Sequence, residues 1–83
     1  MTITIYSNPN CVQCEQTKKF LTRKGVPFES KMISESPEVQ AIIDEHKFQS
    51  APVVVISTGQ VWSGFRLDHL TDYVHKYNAE VKS

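Results

Sequence analysis

Residues 7–14 read Ser7-Asn8-Pro9-Asn10-Cys11-Val12-Gln13-Cys14, and the first strand and the first helix are predicted on either side of this stretch. Its first half is typical of a turn, because three polar residues surround a proline. Residues 2–6 alternate β-branched and apolar types and predict a strand. From Val12 to about Lys24 the apolar residues recur at helical spacing, and Gly25 marks the end of that helix. The two cysteines therefore lie where a strand, a turn and a helix meet.

The next part of the chain predicts a second strand and a second helix. The strand runs from Phe28 to Ile33, and with the first strand and helix it forms a β-α-β unit, which we expect to be parallel and right-handed. The helix starts at Ser36, which we expect to cap it, with Pro37 in its first turn. Its apolar stripe is expected to comprise Val39, Ile42, Ile43 and His46.

A hairpin and a third helix complete the predicted fold. Val53–Ile56 is typical of a buried strand, and the turn 57–60 leads to an antiparallel return strand that begins at Val61. Helical spacing predicts the last helix from about Leu67 to Tyr77, with the chain fraying afterwards. The order is therefore β-α-β-α-β-β-α, an α/β fold with a four-stranded mixed sheet flanked by three helices. We expect residues 1–83 to form a single domain.

Composition excludes several functional classes. Nine Lys and Arg balance nine Asp and Glu, whereas a nucleic-acid partner normally requires a basic excess. No apolar run approaches the ~18 residues of a membrane span, so we expect no membrane partner. The start of the chain lacks the basic and apolar segments of a secretory signal, and we expect a cytoplasmic protein.

Cys11 and Cys14 carry the predicted chemistry, and they are the only cysteines of the chain. A disulfide between them would close so short a loop that its gain in stability is small. At a helix start, however, unpaired backbone N–H groups and the helix dipole stabilise a thiolate. Cys-x-x-Cys beside a β-α-β pattern is typical of a redox motif. We expect Cys11 to be the exposed attacking thiolate and Cys14, one turn later and facing inward, to resolve the mixed disulfide.

A zinc site is the structural alternative for a Cys-x-x-Cys sequence, because such pairs also form half of zinc sites. It would require two further ligands, and the chain offers only His46, His69 and His75. None of these makes a tight second pair, so we expect no metal ligands. Inert buried cysteines are a further alternative, but the polar turn before Cys11 favours exposure.

Two other segments are candidates for the site. Pro52 opens the third strand after Ala51, and the sequence pattern alone leaves the cis and trans forms of that peptide bond open. Residues 62–66 read Trp62-Ser63-Gly64-Phe65-Arg66, just before the last helix. Trp62, on a strand, is expected to be a core residue. Phe65 lies in a connection, and an exposed aromatic there is a candidate contact for a partner.

Taken together, Cys11-Val12-Gln13-Cys14, Ser50-Ala51-Pro52-Val53 and residues 62–66 resemble the glutaredoxin branch of the thioredoxin superfamily, and within it the NrdH-type redoxins. The resemblance covers essentially the whole chain. It implies the thioredoxin fold, a cis proline at Pro52 facing the cysteines, and a monomer with no bound cofactor beyond its redox-active cysteine pair.

The same resemblance implies two protein partners. Thioredoxin reductase, with NADPH upstream, would reduce the protein, which would then reduce the disulfide of the class Ib ribonucleotide reductase large subunit. The residues that the resemblance assigns to partner binding are Val12, Gln13, Ala51, Pro52, Trp62, Ser63, Gly64, Phe65 and Arg66.

A glutathione-dependent glutaredoxin is the alternative function. Ordinary glutaredoxins have Cys-Pro-Tyr-Cys and a Gly-Gly turn followed by polar residues that hold glutathione. Here Val12 and Gln13 separate the cysteines, and Phe65 offers no hydrogen-bonding side chain to glutathione. The chain also departs from the NrdH pattern, because Leu67 stands where a proline is usual, and we expect only a small local effect.

Overall fold

The computed structural model describes residues 1–82 and contains the predicted order of strands and helices. The elements are β1 (Ile3–Ser7), α1 (Val12–Arg23), β2 (Glu29–Met32), a short 3-10 helix (Ile33–Glu35), α2 (Pro37–His46), β3 (Val53–Ile56), β4 (Val61–Ser63) and α3 (Leu67–Lys82). In this described part of the chain, no helix is both long and apolar enough to cross a membrane.

The four strands form one mixed sheet in the order β2-β1-β3-β4. β1 pairs with β2 in parallel, with Ser7 opposite Met32. β3 runs antiparallel to β1, with Tyr6 opposite Val53, and β4 runs antiparallel to β3. The predicted parallel β-α-β unit and the predicted antiparallel hairpin are both confirmed.

Alternation along β1 divides the core into two layers. Ile3 and Ile5 pack in the larger layer, which includes Leu21 of α1 and Leu70 of α3. Tyr6, which faces the opposite side, packs in a smaller layer that includes Val39 of α2. Helices α1 and α3 therefore cover one face of the sheet, and α2 covers the other.

The third helix is longer than predicted, because it continues past Tyr77 to Lys82 instead of fraying. The amino terminus of Met1 pairs with the Glu80 carboxylate at 3.0 Å, and the Tyr73 hydroxyl donates to the Met1 carbonyl oxygen at 3.4 Å. Contacts with the start of the chain thus hold a segment that carries little apolar signal of its own.

Two other expectations about helices were wrong. Ser36 precedes α2, but its side chain makes no capping hydrogen bond, and its carbonyl oxygen accepts from the Val39 N–H instead. His46 is exposed and stacks on Phe48 rather than joining the apolar stripe of α2. The third helix begins at Leu67 as predicted, and this residue is 52% exposed.

Candidate active site

Cys11 is the N-cap residue of α1, and its sulfur takes the place of a capping oxygen. The Cys14 N–H donates to Cys11 Sγ at 3.2 Å, and the Glu15 N–H donates to the Cys11 carbonyl oxygen at 3.2 Å. The first N–H groups of a helix have no partner within the helix, so a sulfur at this position receives one of them. A negative charge on Cys11 Sγ would be stabilised by the same N–H group and by the helix dipole.

The two cysteines form a disulfide, with their Cα atoms 5.2 Å apart. Their environments differ. Cys14 is only 1% exposed, whereas Cys11 is partly exposed and stands next to Val12, which is 71% exposed. A large partner can therefore reach the first sulfur but not the second.

The turn before Cys11 brings it to the surface. β1 is buried up to Ser7, and residues 8–10 are then all exposed. Asn10 has a φ of +57°, a left-handed conformation that asparagine tolerates better than most residues. The chain thus reverses within a few residues and enters α1 with Cys11 at the protein surface.

Pro52 is buried, and the Ala51–Pro52 peptide bond is cis, which confirms the expectation from the family resemblance. The Gly64 N–H donates to the Pro52 carbonyl oxygen at 2.8 Å. The Ser50 and Ser63 hydroxyl oxygens lie 3.3 Å apart. The segment that enters β3 is therefore bonded to the segment 62–66.

Gln13 joins the cysteine motif to the segment 62–66. Its side-chain oxygen accepts the Phe65 N–H at 2.9 Å. Gly64 has a φ of +82°, and a Cβ added there would lie 3.1 Å from the same Gln13 oxygen. The glycine thus allows the amide of Gln13 to approach the backbone. Reasoning from the sequence missed this contact. The glutamine between the cysteines and the glycine beside Phe65 are the two sequence features that could have indicated it.

The other residues of the segment 62–66 have different surroundings. Trp62 is a core residue, as expected, at 3% exposure, and its ring stacks on His69 at 4.8 Å between centroids. Phe65 is half-buried against the larger core layer rather than fully exposed. Arg66 is exposed and pairs with Asp68 at 3.1 Å, and this hydrogen bond lowers the pKa of Asp68 below its usual value.

The histidines and acids do not gather into a metal site in the part of the chain that the structure describes. Among residues 1–82, no group of three or more His, Cys, Asp or Glu side chains is arranged to hold a metal ion.

A mixed four-stranded sheet with two helices on one face and one on the other, and a Cys-x-x-Cys pair at the start of its first helix, defines a thiol–disulfide protein of the thioredoxin fold. Comparison with known proteins identifies the family within this class. The glutaredoxin family profile matches residues 3–62. The chain therefore belongs to the glutaredoxin family of thiol–disulfide oxidoreductases.

Several relatives of the chain are NrdH proteins. The glutaredoxin-like protein NrdH of Escherichia coli (strain K12) is 40% identical over 68 residues, which cover 82% of this chain and 83% of that protein. The NrdH protein of Lactococcus lactis subsp. lactis is 37% identical over 68 residues, covering 82% and 93%. The solved structure of E. coli NrdH-redoxin matches with a TM-score of 0.76 at 36% identity, covering 87% of this chain and 93% of that one. The chain is thus an NrdH-like redox protein.

Proposed function

We propose that this protein is a cytoplasmic, monomeric dithiol electron carrier. Thioredoxin reductase, with NADPH upstream, reduces it, and it in turn reduces the disulfide in the large subunit of a class Ib ribonucleotide reductase. The observation that carries this proposal is the contrast between Cys11, which is partly exposed and caps α1, and Cys14, which is buried in the same turn. The choice of electron source is supported by E. coli NrdH-redoxin, a glutaredoxin-like protein with a thioredoxin-like activity profile.

The proposed reaction uses the two sulfurs in sequence. The Cys11 thiolate attacks one sulfur of the partner disulfide, whose S–S bond breaks, and the other partner sulfur leaves as a thiolate that takes up a proton. Cys14 then loses its proton and attacks Cys11 Sγ. The Cys11–Cys14 bond forms, and the second partner sulfur leaves with the electron pair and is protonated. Two electrons and two protons have then passed to the partner.

We assign partner binding to a rim made of Val12, Gln13, Ala51 and the segment 62–66, which the bond from Phe65 to Gln13 joins to the start of α1. Val12, Gln13 and Arg66 are exposed there, and Phe65, Ala51 and Ser63 are partly exposed. We infer that the buried Pro52, Trp62 and Gly64 act by holding this rim in place. An exposed valine next to the attacking sulfur suits a partner surface that excludes water from the reacting atoms.

The electron source tests the proposed partner. We expect reduction of insulin disulfides when the protein is mixed with NADPH and thioredoxin reductase, and little turnover with glutathione and glutathione reductase. Because Phe65 replaces the polar residues that hold glutathione in ordinary glutaredoxins, direct binding of glutathione should be absent by calorimetry. Turnover that appears only with the glutathione system would instead make the protein a glutathione-dependent glutaredoxin.

Substitution of each cysteine tests the order of attack. We expect Cys11→Ser to abolish turnover, because the attacking thiolate is lost. Cys14→Ser should accumulate a mixed disulfide with the ribonucleotide reductase subunit, visible on a non-reducing gel and removed by dithiothreitol. The double variant Cys11→Ser/Cys14→Ser is the matched control and should trap nothing. If Cys14→Ser kept full dithiol turnover, the assignment of Cys14 as the resolving residue would be wrong.

A further inference from the structure

Charge is unevenly distributed along the chain, although its total is balanced. Residues 15–24 contain four of the nine Lys and Arg residues and one of the nine Asp and Glu residues. Residues 29–46 contain five of the acids and one basic residue, Lys31. The first range lies in α1 and its C-cap, and the second includes β2 and α2. Since α1 and α2 pack in different core layers, the basic and the acidic helix cover opposite faces of the sheet.

Three basic side chains of α1 and its C-cap are exposed and have no carboxylate partner. Among the described residues, Lys19, Arg23 and Lys24 form no ion pair. Basic residues at the end of a helix offset the helix dipole, and this accounts for Arg23 and Lys24. Lys19 lies a turn before the end of α1, so the dipole does not account for it.

Lys19 and Arg23 lie in line with the attacking sulfur. Helical residues four positions apart lie on the same side of a helix, and the row that starts at Cys11 continues with Glu15, Lys19 and Arg23. Cys11, Glu15 and Lys19 line a shallow depression on this side of α1. The carboxylate of Glu15 pairs with Lys18 Nζ at 3.3 Å. Lys19 is therefore the unpaired charge of the depression.

We propose that Lys19 and Arg23, the basic row of α1, bind an acidic segment that adjoins the disulfide of the electron-accepting partner. This inference rests on the proposed dithiol function and adds the chemistry by which the partner is recognised. Complementary charges attract a partner before contact and fix its orientation. Because the basic row leads to Cys11, an acidic chain bound along it brings its disulfide to the attacking thiolate.

The geometry of α1 sets where the acidic residues of the partner lie. Lys19 follows Cys11 by eight positions, or about 12 Å along the helix axis, and Arg23 lies about 6 Å further. An extended chain rises about 3.3 Å per residue. The basic row therefore matches acidic residues about four to six positions from the reactive cysteine of the partner.

Reduction of two synthetic peptide disulfides tests this inference. Each is a disulfide-linked homodimer of a peptide with a single cysteine, and the positions about four to six residues away on both sides are Glu in one peptide and Gln in the other. The full chain is reduced beforehand and freed of reductant. One dithiol protein and one peptide disulfide give one protein disulfide and two peptide thiols, which are quantified by chromatography after an acid quench.

The readout is the acidic preference, defined as the rate constant for the acidic peptide divided by that for the neutral peptide. Reduction of both peptides by dithiothreitol corrects for their intrinsic reactivity. We expect an acidic preference of about tenfold at low salt. It should fall towards one as the ionic strength rises from about 0.01 M to about 1 M, because the screening length falls from roughly 30 Å to roughly 3 Å.

Substitutions separate the basic row from the net charge of the protein. We expect Lys19→Gln to lower the acidic preference about threefold, and Lys19→Glu with Arg23→Glu to reverse it. Glu15→Gln should raise it, because Lys18 then loses its carboxylate partner. Lys76→Gln is the matched control, since it removes one positive charge from an exposed position of α3, and its preference should equal that of the wild type.

Two outcomes would overturn the inference while leaving the dithiol function intact. One is equal rate constants for the acidic and the neutral peptide, and the other is the same loss of preference in Lys76→Gln as in Lys19→Gln. Failure of the reduced protein to reduce either peptide would contradict the dithiol function itself and the inference with it. The assay contains no thioredoxin reductase, so the proposed electron source does not affect its result.

Discussion

The amide of Gln13 touches the backbone of the segment 62–66 where a glycine leaves room for it. Gly64 has a positive φ and would place a Cβ against this amide, whereas Gly59, in the hairpin turn, has a φ of +105° with no atom within 4 Å of an added Cβ. The two glycines share a backbone requirement and differ in their neighbours. They therefore allow the effect of backbone strain to be separated from the effect on the site.

We expect Gly64→Ala and Gly59→Ala each to lose about 1–2 kcal/mol of stability, since both place an L-residue at a positive φ. Only Gly64→Ala should also raise the KM for thioredoxin reductase, because it displaces the Gln13 side chain from Phe65. Chemical denaturation and steady-state kinetics measure the two effects. A KM that rose equally in Gly59→Ala would show that the change follows stability and not the Gln13 contact.

The residues of the site differ in how far the sequence predicts them. The spacing of Cys11 and Cys14 and the polar turn before them suffice to predict an outer and an inner cysteine, because both features are local. The contact of Gln13 with Phe65 spans 52 residues and depends on how α1 meets the segment 62–66.

A small polar cluster links β1, β2 and α2. The Tyr6 hydroxyl donates to Glu38 Oε2 at 3.2 Å, and Lys31 Nζ lies 3.7 Å from the same oxygen. The backbone N–H of Glu38 itself, followed by the Tyr6 hydroxyl and Lys31, holds the pKa of Glu38 below its usual value. Burial, and then the bond to Glu38, raises the pKa of Tyr6.

The cluster predicts a stability that depends on pH. Because the pKa of Glu38 is lowered by folding, its contribution is present above the unfolded pKa and is lost as the pH falls through the folded value. We expect the stability of Glu38→Gln to fall less than that of the wild type between about pH 5 and pH 3, measured by urea unfolding. Glu45→Gln removes an acidic charge from the same helix outside the cluster and is the control. Parallel curves for Glu38→Gln and the wild type would contradict this role.

Element types were predictable from local pattern, and element ends were less so. The apolar spacing of α1 and its stop at Gly25 agree with a helix over Val12–Arg23. The end of α3 was wrong by a turn or more, because the contacts of Met1 with Glu80 and Tyr73 come from the far end of the chain. Serine before proline is typical of a cap, yet the Ser36 side chain makes no capping bond in the structure.

Across the whole molecule, the two faces of the sheet are unequally packed. Among the described residues, the hydrophobic cluster under α1 and α3 contains ten buried side chains, whereas the cluster under α2 contains three. Within α2 itself only Val39 is buried. Elements with few buried contacts open locally more often than the rest of a fold.

We expect the backbone amides of α2 to exchange with deuterated solvent faster than those in the middle of α1 and α3. Val39→Ala should increase exchange in α2 further while leaving α1 nearly unchanged, because it removes the only fully covered side chain of that helix. Mass spectrometry or NMR of the intact oxidised protein measures both. Equal protection of the three helices would show that the sheet faces open as one unit.

The smaller core layer, under α2, lies next to the turn that precedes Cys11. The end of α2 and the residues leading to Pro52 line a shallow depression together with Asn8, in the turn that precedes Cys11. In the proposed function, one pair of sulfurs reacts in turn with an electron donor and an electron acceptor of different shapes. The expected local opening of α2 would let this side of the protein adjust to each partner, while the larger layer under α1 and α3 would hold the two sulfurs in place.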